Sequence, residues 1–134
     1  MPYLEWKDSL AMGIKSIDDQ HRQLVDMVNA LHDEAETSGH LHCPAPELVA
    51  RLKAYAAEHF HIEEGYMQAF GYPEFETHQK EHEGFIATVN GFETACTEGS
   101  AGAADVLAFL KEWLVRHIVD EDVKMGRFLE DYLR

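Results

Sequence analysis

Basic residues are scarce in this chain of 134 residues. Eleven Lys and Arg face 25 Asp and Glu, and the formal net charge is −14. An acidic excess of this size repels nucleic acid phosphates and anionic membranes, so neither is an expected partner. No apolar run approaches the roughly 20 residues needed to span a bilayer. The opening MPYLEWKDSL lacks a basic segment followed by an apolar one, which gives no secretory signal and predicts a cytoplasmic protein. Cysteine is limited to Cys43 and Cys96, which form no CxxC and no zinc framework. They are expected to be ordinary unpaired thiols of a reducing compartment. Proline is rare too, with four in all, and no segment alternates apolar and polar residues long enough to predict a sheet.

What remains is helical. Glycine and proline cut the chain at Gly39 with Cys43-Pro44-Ala45-Pro46, at Gly71-Tyr72-Pro73, and at residues 97–102. The first helical pattern spans about Asp18 to Thr37, with Ile17, His21, Leu24, Val25, Val28 and Leu31 at steps of three and four. The second spans Pro46 to Phe70 along Leu48, Leu52, Tyr55, His59, Glu63, Tyr66 and Phe70; Pro46 suits a first turn. The third spans Glu74 to Cys96 along Phe75, His78, His82, Phe85, Val89, Phe92 and Cys96. The fourth starts near Ala103 and carries Val106, Phe109, Leu110, Trp113, Leu114 and His117. These patterns predict an all-α, up-down-up-down four-helix bundle over about 18–119. An N-terminal arm (1–17) precedes it and a short helix (about 122–133) follows, all in a single domain.

Histidine is abundant, nine in all. His21, His59, His78, His82 and His117, with Glu63, occupy stripe positions where a core helix should carry leucine. One buried ionisable group without a partner costs several kcal/mol. In an up-down bundle the start of the first and third helices and the end of the second and fourth share one end. At about 1.5 Å per residue the six fall within roughly 15 Å of that end. A metal would satisfy them together. His59-x-x-x-Glu63 and His78-x-x-x-His82 are i, i+4 pairs, each on one helix face. Asp122 follows His117 by five, about 140° around an ideal helix. It can join only if the helix deforms or ends, and geometry does not favour it over Asp120 or Glu121.

His21 after Ile17-Asp18-Asp19-Gln20, His59-Phe60-His61-Ile62-Glu63-Glu64, the His78/His82 pair and His117-Ile118-Val119-Asp120-Glu121-Asp122 resemble the hemerythrin family, above all its single-domain bacterial members. The likeness covers nearly the whole chain, including Trp6 and Gly13-Ile14. It implies a non-haem di-iron centre. His78, His82 and His117 would hold one iron and His21 and His59 the other, with Glu63, Asp122 and an oxo or hydroxo group bridging. That set fills all but one of the positions two octahedral irons offer. The open one lies on the iron with two histidines, where the resemblance implies reversible O2 binding as hydroperoxide. Leu114 resembles the family leucine of the O2 pocket, and Trp113 and Phe60 are candidates for the same apolar wall. Such a wall would slow loss of the reduced ligand and oxidation of the irons.

Other readings carry less support. His32, His40, His42 and His61 match no position of the family motif and are expected to be ordinary histidines. Glu64, beside Glu63, points to another face and is expected to be solvated. Asp18 is either a helix N-cap or an acceptor for the outer nitrogen of His21. Glu58-x-x-His61 is the one spacing of the kind ferritin-like enzymes use in pairs. Carriage, storage or buffering of O2 is the expected function, without enzymatic turnover and in a monomer. The alternatives are O2 or redox sensing through a separate protein, which could equally be the recipient of O2, and a di-iron oxidase or peroxidase.

Overall fold

The computed structural model describes residues 3–37, 43, 46–130 and 132. Four long helices form the bundle: α1 Lys15–Thr37, α2 Pro46–Phe70, α3 Phe75–Glu98 and α4 Ala103–His117. A π-helical turn, Ile118–Asp122, joins α4 to α5, Val123–Leu129. Each long helix packs on the next, and α4 closes on α1. Among the described residues there is no strand, and no helix is long and apolar enough to cross a membrane.

Local chemistry sets these boundaries. Pro46 opens α2, where its missing N–H and fixed φ cost nothing. Gly71 stops that helix at φ +70°, a conformation that favours glycine, and the Tyr72 N–H donates back to the Met67 carbonyl at 2.9 Å. The turn to α3 is therefore short, and the two helices run back to back. Helix α1 begins three residues earlier than its sequence pattern indicates. Asp18 is neither an N-cap nor a partner of His21. Its carboxylate accepts the Met12 N–H at 2.9 Å and the Gly13 N–H at 3.3 Å, fastening the arm to the first turn. The arm is held again at Asn29, whose amide pairs with both backbone groups of Leu4, at 2.7 and 2.8 Å. Its Met12 carbonyl lies where a Cβ on residue 126 would come within 2.6 Å, so only glycine fits at Gly126 of α5.

Burial divides into two apolar layers. The larger is built from Leu24, Val28, Leu52, Phe85, Leu110 and their neighbours across all four helices. The smaller closes the other end with Met12, Ile17, Met67, Tyr72, Met125 and Leu129. The buried polar side chains lie between them.

The expectation of two free thiols fails. Cys43 and Cys96 form a disulfide that ties the α1–α2 connection to the end of α3, with Cα atoms 5.9 Å apart. The thiol argument for a reducing compartment falls with it. His40 and His42 lie outside the described residues. His32 stacks on Tyr3 at 4.4 Å, and Glu58 and His61 both face outward, away from the buried cluster.

Candidate metal centre

Every element contributes to one end of the bundle. His21 comes from the second turn of α1, and His59 and Glu63 from the last three turns of α2. His78 and His82 come from the first two turns of α3, His117 from the last turn of α4, and Asp122 from the π turn. All seven are 2% exposed or less. The π turn explains Asp122. A bond from the Val123 N–H to the Ile118 carbonyl spans five residues rather than four. That extra residue brings Asp122 around to the face of His117, while Asp120 stays exposed and Glu121 half-buried.

The inner nitrogens of the five histidines converge on two carboxylates. Glu63 Oε2 lies 3.2 Å from His21 Nε2 and 3.0 Å from His59 Nε2. Its other oxygen, Oε1, lies 3.1 Å from His82 Nε2 and 3.6 Å from His78 Nε2. Asp122 divides in the same sense: Oδ2 is 2.9 Å from His21 Nε2, whereas Oδ1 is 2.9 Å from His78 Nε2 and 3.2 Å from His117 Nε2. Two compact groups result. One is His78, His82 and His117 and the other is His21 and His59, with Glu63 and Asp122 common to both and the ligand atoms of each group within 4.8 Å of one another. Each carboxylate turns one oxygen to each group.

Hydrogen bonds on the outer edges fix the tautomers. His59 Nδ1 donates to Gln20 Oε1 at 2.6 Å, and His82 Nδ1 donates to Glu64 Oε2 at 2.8 Å. With the proton held outside, the inner nitrogen presents a lone pair. The lone pair of His82 then faces Glu63 Oε1 at 3.1 Å and His117 Nε2, also at 3.1 Å. His117 Nε2 can donate to that lone pair, but the carboxylate oxygen cannot, and two acceptors opposed at 3.1 Å need positive charge between them. Correspondingly, Glu63 Oε1, both oxygens of Asp122 and His78 Nε2 are buried without a hydrogen-bond partner.

Electrostatics gives the same result. Burial works to lower the pKa of His21, but the carboxylates of Asp122 and Glu63, 2.9 and 3.2 Å away, outweigh it and raise it to about 10. Burial likewise opposes His78, which the same two carboxylates raise to about 9. Burial would raise Glu63 and Asp122. The surrounding histidines, His59 and His21 about Glu63 and His117 and His21 about Asp122, hold both well below the usual carboxylate range. The cavity is built for cationic charge, supplied by protons or by a metal. Five imidazoles and two carboxylates that expose lone pairs to one small volume suit borderline divalent metals such as iron.

The wall residues read from the sequence also meet here. Phe60 stacks on His82 with ring centroids 3.9 Å apart, and Trp113 stacks on His117 at 4.4 Å. Phe60, Trp113 and Leu114 line one small apolar cavity within the larger core, together with Leu24, Ala56 and Phe85. Two outer partners escape the sequence reading. Gln20 carries no charge and no pattern. Glu64 is half-buried and paired rather than simply solvated: it turns from the α2 stripe toward α3 and meets the outer nitrogen of His82. The usable signal is that a metal-bound histidine requires an acceptor behind it, so polar residues flanking the ligand stripe are candidates.

Comparison with known proteins agrees with this geometry. A family model described as the hemerythrin HHE cation binding domain matches residues 12–129. The chain is 35% identical to a bacteriohemerythrin of Pseudomonas paraeruginosa, over 91% of this chain and 78% of that one. It is 30% identical to a hemerythrin from Sipunculus nudus, over 92% of each. Among solved structures, a wild-type hemerythrin superposes with a TM-score of 0.80 at 28% identity, covering 93% of this chain and 96% of that one. Motif, fold and buried cluster coincide along one stretch of sequence, and the chain belongs to the hemerythrin family.

Proposed function

We propose that the cluster holds two non-haem irons and binds O2 reversibly, for carriage, storage or buffering. His78, His82 and His117 would hold one iron and His21 and His59 the other. Glu63 and Asp122 would bridge them, with an oxo or hydroxo group as the third link. The carrying observation is that each buried carboxylate turns its two oxygens toward two different histidine groups. A ferrous pair held there would supply the reversible two-electron chemistry that O2 uptake needs.

The rest falls to the chain. Outer acceptors at His59 and His82 hold the Nδ1–H outward and aim Nε2 at the cluster. Phe60 and Trp113 fix the planes of His82 and His117 by stacking. With Leu114 they form an apolar wall that would exclude water and protons from the gas pocket. Glu58 and His61 face outward, which disfavours a ferritin-like oxidase built on that pair. Residues 1–134 would act as one domain, the arm sealing the lower layer, in a monomer that delivers O2 to a separate recipient.

The test is anaerobic. The reduced protein is assayed for iron, O2 is admitted and removed, and the visible spectrum is followed throughout. Two irons per chain and an absorption band that comes and goes with O2 are expected. Irreversible oxidation without such a band, or no paired iron, would overturn the assignment.

A further inference from the structure

The outer edges of the two histidine groups are served unequally. In the pair, His59 Nδ1 meets a neutral amide, Gln20 Oε1, at 2.6 Å. In the trio, His82 Nδ1 meets a carboxylate, Glu64 Oε2, at 2.8 Å. A second carboxylate stands behind the trio. Glu81 Oε1 lies 3.6 Å from His117 Nδ1, beyond hydrogen-bond reach, and accepts from Arg116 Nη1 at 3.3 Å. His21 and His78 have no acceptor for Nδ1 among the described residues. Charged support thus falls on one group alone.

Glu64 is held for this task. Its second oxygen, Oε1, accepts the Gln79 side-chain N–H at 3.1 Å, and its side chain is 18% exposed. Gln79 lies on α3 between His78 and His82, so the carboxylate is clamped against the helix that carries both ligands. The stacked Phe60 ring, 3.9 Å from His82, keeps the imidazole plane from turning away. A hydrogen bond from a neutral imidazole to a carboxylate draws the proton outward and leaves the inner nitrogen a stronger electron donor. An amide acceptor does so less, because the ionised acceptor makes the stronger bond.

We propose that Glu64 is a positioning residue that makes His82 the most strongly donating histidine of the cluster. Gln20 does the opposite service for His59 by withholding charge. The metal held by the trio is then the more electron-rich and the more readily oxidised, and the metal held by the pair keeps the sharper appetite for an incoming ligand. The difference between the two metals is written in their outer partners as well as in their ligand counts. This inference rests on the two-metal reading given above.

Two substitutions separate the charge from the scaffold. Glu64→Gln keeps an oxygen that can accept from His82 and an amide that can remain near Gln79. Gln20→Glu places a carboxylate behind His59 without altering the trio. Iron content is measured first, then the reduction midpoint by potentiometric titration under argon. Glu64→Gln should retain two irons and raise the midpoint, with the ferrous-to-ferric ratio at fixed potential rising about ten-fold, equivalent to 59 mV for a one-electron couple. Gln20→Glu should lower the midpoint. Opposite shifts support the proposal. Shifts in the same direction, or ratios changed less than about two-fold with two irons retained, overturn it. If the unsubstituted protein takes up no metal pair, the two-metal reading fails first and carries the inference with it.

Discussion

Metal uptake should be steeply pH-dependent far above the range in which histidine ordinarily titrates. In the metal-free fold His21 is raised to about 10 and His78 to about 9, so at pH 7 both carry the proton a metal must expel. From about pH 7 to 9, loading of both sites with Co2+ should gain about two decades of apparent affinity per pH unit, one for each proton displaced. The slope should fall to about one between pH 9 and 10 and vanish above that. Histidines titrating at their ordinary value near 6.5 would give no slope across that window. The assay is competition for Co2+ against a chelator of known pH behaviour at pH 7, 8 and 9. A dye counts the protons released, about two per chain at pH 7.5. A flat affinity profile from pH 7 to 9 would refute the reasoning.

The same shifts govern the stability of the metal-free chain. The raised histidines contribute stability that is fully present below about pH 6.5 and is lost as pH climbs through 9 and 10. The lowered carboxylates contribute stability that is present above about pH 4.5 and is lost as pH falls through their folded values. The metal-free protein should therefore melt highest between about pH 5 and 6.5, and metal should abolish the alkaline decline.

Leu114→Ala removes wall methyls from a 5% exposed site, and we expect a loss of about 3–5 kcal/mol in stability, retained iron and faster oxidation by O2; equal oxidation rates in the two proteins would remove Leu114 from the pocket. Changing Cys43 and Cys96 together to serine opens a loop of 53 residues and should cost about 2–4 kcal/mol in denaturant melts while leaving iron content unchanged. The bridge sits at the far end of the bundle, about 20 Å along α3 from His82, so lost iron binding would show coupling between the ends. Deleting Val119, 41% exposed within the π turn, should restore a regular α-helix with His117 and the aspartate four apart on one face. Retained metal and a higher melting temperature are expected, and loss of the metal pair would mean the π turn itself shapes the site.

Much of this was legible in the sequence, for identifiable reasons. Helix α2 matches its pattern from Pro46 to Phe70 because proline and glycine mark its two ends chemically. The five clustered histidines stand out in the sequence because they occupy positions where leucine belongs, and the structure buries all five together. Asp122 could not be read from helix geometry, since a step of five points away on an α-helix, and the family resemblance supplied it. The start of α1 was misplaced because Asp18 resembles a cap, and only the folded arm reveals that its oxygens serve Met12 and Gly13. The disulfide was missed for a tertiary reason. Cys43 lies in the connection between α1 and α2, and its nearness to Cys96 depends on how that connection passes the end of α3. Glu64 was misread because one residue along a helix is about 100° around it, which hides a contact made across to the next helix.

The placement of the cluster between two apolar layers links stability to function. Above it the larger core packs Phe60 and Trp113 against the rings of His82 and His117, with Phe85 behind them; below it Ile17, Met67 and Met125 close the end with the arm. Both layers gain by excluding water, yet the polar layer between them cannot be solvated by it. Each carboxylate there loses hydration worth several kcal/mol and regains it only from cationic partners. Protons on His21 and His78 can serve, at the expense of those two rings' own inner lone pairs, and they leave the inner nitrogens of His59 and His82 still facing carboxylate oxygen. A metal pair serves the carboxylates and the imidazoles at once. The dryness that makes an unneutralised polar layer unfavourable is thus the dryness that reversible O2 binding would need, and one arrangement of side chains meets both demands.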